Sequence, residues 1–274
     1  MKIPAVFIAS ALAMANADAA PCGDLVKIAT HGGTTTGYAF GKPSQPARAV
    51  LVLLPGGGGH IALDEQGCPH ALVGNSLVRS VPLFHSEGFA TALVDAPSDH
   101  PGDDGLAGFR VTPEHADDLG KVIADVRART KLPVWLVGTS RGTISAVNAA
   151  SRLAGPAAPD GLVLTSALMS GGRSVQKPWV SQTVFDLDLA AIRMPVLVVG
   201  HAEDKCVRSP ANLMGNVIAK TEGVREQVVM VTGGPGSSSP AGIAVCEGRS
   251  PHGYIEQEAE VAAGIARFIN GGKY

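Results

Sequence analysis

The sequence predicts an α/β fold: a mostly parallel, twisted sheet of about eight strands with helices on both faces. Three observations carry this. Short apolar runs recur along the chain without polar alternation, as in strands buried on both faces. Segments with helical spacing fall between them, and Gly, Pro or Asp closes most of the runs.

Residues 1–20 come first and read as a signal peptide. Lys2 is a short positive region, Val6 to Ile8 and Ala11 to Met14 are apolar, and small residues follow, with cleavage sites after Ala17, Ala19 or Ala20. An ordinary helix or an uncleaved anchor is the other reading, although the apolar run is short for a bilayer. An exported protein, periplasmic or secreted and with no membrane span once the signal is removed, is the expectation. Residues 21–274 then read as a single domain, since neither a repeat nor a linker divides them.

Leu25 to Phe40 supplies one or two leading antiparallel strands. Ala49 to Leu54, Phe89 to Val94, Pro133 to Val137, Gly161 to Thr165, Pro195 to Val199 and Glu226 to Val231 are the remaining runs. Between them, Ala116, Leu119, Val122, Ile123 and Val126 share one face of a helix that starts near Pro113 or Glu114. Residues 71–87, 142–153, 209–221 and 254–269 have similar spacing.

Apolar residues make up 45% of the chain and charged residues 17%, which fits a large core and argues against disorder. The formal net charge is −2 and no Lys/Arg cluster stands out, so nucleic acid is not an expected partner. Cys22, Cys68, Cys206 and Cys246 form no Cys-x-x-Cys pair, which argues against a zinc ribbon or a redox motif. In an oxidising compartment an even count favours two disulfides out of three possible connectivities. Four buried thiols are the alternative.

The informative stretch is Gly138-Thr139-Ser140-Arg141-Gly142. An apolar strand precedes it and a helical segment follows. This is the context in which a sharp turn holds a serine hydroxyl above a sheet. With these residues the chain resembles the α/β-hydrolase family from about residue 48 to 270. The resemblance implies an α/β-hydrolase fold and a nucleophile–acid–histidine order, beginning with Ser140. Asp204, after Val196 to Gly200, matches the acid position, and Glu203 is its rival. His252, in Pro251-His252-Gly253-Tyr254, matches the histidine. The other seven histidines lack that placement.

The family's oxyanion donors would be the Arg141 N–H and an amide of the loop Pro55-Gly56-Gly57-Gly58-Gly59, with Gly57 the better match and Gly58 close behind. A histidine commonly opens this motif, where Pro55 stands here. The glycines are not a P-loop, because no Gly-Lys-Ser/Thr follows. The triad would bring Cys206 near Cys246, leaving Cys22 for Cys68. Met169 to Ala191 reads as a small cap, with Trp179 and Phe185 facing the pocket, whereas Trp135 reads as core. Asp95, Asp99, Asp103 and Asp104, beside His100, read as a solvated acidic loop, with metal binding as the alternative.

These readings converge on a serine hydrolase that cleaves a carboxylic ester in a small molecule. The serine mechanism needs neither cofactor nor metal. An acyltransferase or peptidase on the same scaffold, or a non-catalytic binding protein, are the alternatives, and the oligomeric state is not legible.

Overall fold

A computed structural model describes residues 22–234 and 242–274; the expected signal segment lies outside them. Eight strands form one sheet: β1 (Asp24–Ala29), β2 (Thr35–Gly41), β3 (Val50–Leu54), β4 (Ala90–Val94), β5 (Val134–Thr139), β6 (Gly161–Thr165), β7 (Val196–His201) and β8 (Glu226–Val231). Their order is β1-β2-β4-β3-β5-β6-β7-β8. The pairings β1–β2 and β2–β4 are antiparallel, and all later ones are parallel. The parallel strands therefore share one C-terminal edge, where ligand sites of open α/β sheets form.

Side chains of successive residues leave a strand on opposite sides, so each apolar run feeds two cores. Val50, Val52 and Leu54 join one, and Leu51 and Leu53 join the other. On the first side pack α2 (Pro113–Thr130), α3 (Gly142–Arg152) and α4 (Met214–Ile218); on the second pack α1 (Ser76–Ser86) and α5 (Glu258–Ile269). Trp135 belongs to the second core, edge-on to Phe268.

Three helices are shorter than their spacing predicts. The first starts at Ser76 rather than residue 71: Leu72 has φ +53°, and the Asn75 side chain caps the helix by accepting from Leu77 N–H. Residues 209–221 hold only a 3-10 turn at Ala211–Leu213 and the single turn of α4, since Pro210 and Gly215 both disfavour a longer helix. The last begins at Glu258, because Tyr254 and Glu256 adopt positive φ. Strand β8 departs from the two-sided burial expected of it. As an edge strand it leaves Val228 and Met230 exposed.

A buried polar contact joins α2 to α3. His115 is buried and its Nε2 lies 2.8 Å from Ser145 Oγ, which also accepts from Arg110. Burial, reinforced by the Arg110 charge, depresses the His115 pKa to about 3. The imidazole is therefore neutral when folded and charges in the unfolded chain below its ordinary value of 6.5. Between those values the unfolded state binds the extra proton, so stability falls as pH falls. The slope from this group approaches about 1.4 kcal/mol per pH unit. Urea unfolding from pH 7 to pH 4 should show this loss, and His115→Gln should flatten it.

Candidate active site

Ser140 sits between β5 and α3 with φ +50°, a left-handed conformation that costs a non-glycine residue about 1–2 kcal/mol. Close packing holds it there. A Cβ on Gly142 would lie 1.9 Å from the Leu54 carbonyl oxygen, and one on Gly138 2.6 Å from the Gly142 carbonyl. Ser140 N–H donates to Thr165 O at 3.0 Å, and Thr143 Oγ1 donates to Ser140 O at 2.6 Å. The serine is part-exposed in a cleft of about 460 Å³ that Gly57, Leu72, Asn75, Arg249 and His252 also line.

Asp204 follows β7 and His252 lies in a 3-10 turn (Pro251–Gly253) before α5. His252 Nδ1–H donates to Asp204 Oδ2 at 2.8 Å, with both side chains buried. The partner of His252 Nδ1 is thus Asp204 and not Glu203, whose backbone N–H donates to His201 Nδ1. His252 Nε2 is buried and has no partner among the described residues, so it is the ring's open position. It makes no hydrogen bond to Ser140 in this structure, although both residues line the cleft. Such contacts commonly tighten only when substrate binds.

Several bonds fix the histidine loop. Ser166 Oγ donates to His252 O at 2.7 Å, and Ser250 Oγ accepts from His252 N–H. Tyr254, fully buried, takes the Ser166 N–H at 3.0 Å and donates to Val199 O at 2.8 Å. Burial raises its phenol pKa, so the hydroxyl stays protonated. Cys206 is bonded to Cys246, which joins the acid loop to the segment preceding His252, and Cys22 is bonded to Cys68.

The glycine loop comes from the end of β3. A Cβ on Gly56 would lie 2.9 Å from Ser140 Cβ, so this backbone runs against the serine. Neither Gly57 N–H nor Arg141 N–H has an acceptor among the described residues. Gly57 lines the cleft; Gly58 faces away, its Cα against the Asp103 carbonyl. Arg110, which sequence reasoning missed, braces the loop from behind. Wholly buried, it donates to Pro55 O and Gly57 O, each at 3.2 Å, and to Ser145 Oγ at 2.7 Å. Burial first, and repulsion from Arg141 second, push its pKa down. An arginine in an irregular segment carries no periodic signal, so nothing in the sequence marks it.

The two aromatics of residues 169–191 lie elsewhere than expected. Residues 178–191 form three 3-10 turns, but neither aromatic lines the cleft. Phe185 packs against the first core, and Trp179 lies over the Arg141 guanidinium at 4.1 Å. That arginine, largely buried and near Arg208, has its pKa lowered to about 10. The acidic loop is only partly solvated. Asp95 accepts from Ile61, Leu63 and Ala96 N–H, fixing the chain just beyond the glycines.

This architecture is the α/β-hydrolase fold. The chain superposes on a highly thermostable carboxyl esterase from Bacillus coagulans with a TM-score of 0.61, at 13% identity over 90% of this chain and 98% of that one. It superposes on a dienelactone hydrolase from Anabaena variabilis at 0.57, with 14% identity over 93% and 100% of the two chains. A proline iminopeptidase from Mycobacterium smegmatis gives 0.56, with 13% identity over 90% and 98%. At these identities the likeness is one of fold. No protein-family model matches the chain, and no curated protein is similar to it in sequence.

Tyr254→Phe removes a hydroxyl that serves two buried partners and should destabilise the protein by about 2 kcal/mol in urea unfolding. An unchanged midpoint would show that the histidine loop does not depend on it.

Proposed function

We propose that this protein is an exported serine hydrolase that cleaves carboxylic esters of small molecules through an acyl-enzyme on Ser140. The observation that carries this reading is the strained Ser140 turn sharing one cleft with a buried His252–Asp204 pair. In the reaction, His252 Nε2 takes the Ser140 proton as Oγ attacks the ester carbonyl. Asp204 holds the imidazole in the tautomer with its free nitrogen at Nε2 and stabilises its charged form. The Gly57 and Arg141 amides receive the developing oxyanion, with Arg110 holding the glycine loop by its carbonyls. His252 then returns the proton to the leaving alcohol, and water repeats the sequence to release the acid.

No cofactor or metal takes part in this scheme. Residues 1–20 read as a signal, and the two disulfides suit an oxidising compartment. The mature chain would be one domain, residues 21–274, with the short turns of residues 169–191 as a small cap. No helix among the described residues is long and apolar enough to cross a membrane.

The test is hydrolysis of short-chain p-nitrophenyl esters, beside labelling by a fluorophosphonate. Wild type should turn over ester and carry the label on Ser140 by peptide mass spectrometry. Ser140→Ala should lose at least about 10³-fold in kcat/KM and all labelling while keeping its fold, and Asp204→Asn should lose activity comparably. A folded wild type that neither labels nor hydrolyses any ester would overturn the proposal in favour of a binding role.

A further inference from the structure

We propose that His31, Asp99 and His100 bind one zinc ion, which ties the β1–β2 turn to the loop following β4. His31 opens the 3-10 turn at His31–Gly33, and Asp99 and His100 lie in the chain between β4 and α2. His31 Nε2 is 3.1 Å from Asp99 Oδ2, and His100 Nε2 is 3.9 Å from the same oxygen. The three donor atoms lie within 4.8 Å of one another. Tetrahedral zinc with bonds of about 2.0 Å spaces its ligands about 3.3 Å apart, so the donors stand close to the required spread.

The orientation of the rings is the second, independent observation. Each imidazole has its Nδ1–H occupied, which leaves Nε2 toward Asp99. His31 Nδ1–H donates to Asp118 Oδ2, and Asp118 Oδ1 accepts the His31 backbone N–H at 2.9 Å. His100 Nδ1–H donates to Gly105 O at 3.2 Å. A buried carboxylate and a backbone carbonyl behind the two histidines are the outer partners that orient metal-bound imidazoles. Phe109 lies against both rings, with centroids at 4.7 and 4.4 Å, and limits their rotation. Asp99 is half-exposed, so an ion can enter from solvent and keep a water in the fourth position.

Two imidazoles and one carboxylate suit zinc better than the hard cations, which prefer oxygen. Without an ion the same atoms form an ion pair. Burial disfavours charge on His31, but Asp118 and Asp99 outweigh it and hold its pKa above the ordinary value. Zinc would displace that proton. Lys121, 3.6 Å from Asp118 Oδ1, shares the buried carboxylate. Among the described residues the second group of potential ligands, Asp204, Cys206 and His252, is unsuited: the Cys206 sulfur is in a disulfide and the other two are paired. The proposed ion would also stiffen the support of the glycine loop. Asp103 and Gly105 pack on Gly58, whose carbonyl accepts from Leu106 N–H at 2.8 Å.

Chelator-treated full-length protein is titrated with zinc chloride by calorimetry, and Tm is followed with and without the metal. One equivalent should bind and raise Tm. Asp99→Asn and His100→Gln should each weaken binding tenfold or more, and Asp118→Asn by about 10–100-fold, while His252→Ala binds as wild type. Circular dichroism of each variant checks that it folds, and the half-exposed His100→Gln serves should Asp118→Asn not. Absence of stoichiometric binding would overturn the site and leave an ion pair alone. So would binding that survives His100→Gln, and binding lost only in His252→Ala would place zinc in the cleft instead.

Discussion

At the end of β5 the chain reverses into α3 with no room to spare. Ser140 takes a left-handed conformation, and Gly142 passes so close to the Leu54 carbonyl that a methyl group there would overlap it. The turn therefore locks β3, β5 and α3 together. Because β3 and β5 are adjacent and parallel, the loop leaving β3 is carried past the serine, with Gly56 touching it. The cleft exists where it does because these two strand ends cannot separate.

The other elements of the site are brought to that edge by the parallel run β5-β6-β7 and held by polar anchors. Ser166, at the end of β6 and itself in a positive-φ conformation, ties the His252 carbonyl and Tyr254 to the sheet. Ser209 Oγ donates to Ser166 O, and the Cys206–Cys246 bridge joins the same region. Arg110 does for the glycine loop what Ser166 does for the histidine loop. In both cases a buried side chain satisfies loop carbonyls that have no strand or helix to pair with. A site placed on loops in this way is as rigid as its anchors.

The two ends of the sheet differ. Toward β1 and β2 the pairing turns antiparallel, and the turn between them carries His31 into contact with Asp118 on α2 and Asp99 after β4. The Cys22–Cys68 bond fastens the start of this hairpin to the segment after the glycine loop. The end at β8 is thinly covered, with Val228 and Met230 exposed. The two disulfides are divided between these sides, Cys22–Cys68 near the glycine loop and Cys206–Cys246 beyond β7.

The amino-acid pattern by itself marked the inner parallel strands, because a strand covered on both faces is almost wholly apolar, and such runs are visible without any partner. It also marked Ser140, since Gly138 and Gly142 are local demands of one tight turn, whereas Asp204 and His252 came from the resemblance to α/β-hydrolases, which places an acid and a histidine after later strands. Helix limits at Ser76 and Glu258 were not legible, because positive-φ residues such as Leu72 and Tyr254 are set by packing rather than by propensity. Nor were Arg110, or the meeting of His31, Asp99 and His100. Their partners lie 68 or more residues away for His31 and up to 55 for Arg110, and no spacing rule encodes a contact across that distance. Local chemistry is written in the sequence; which distant polar groups share one buried volume is decided only when the sheet closes over them.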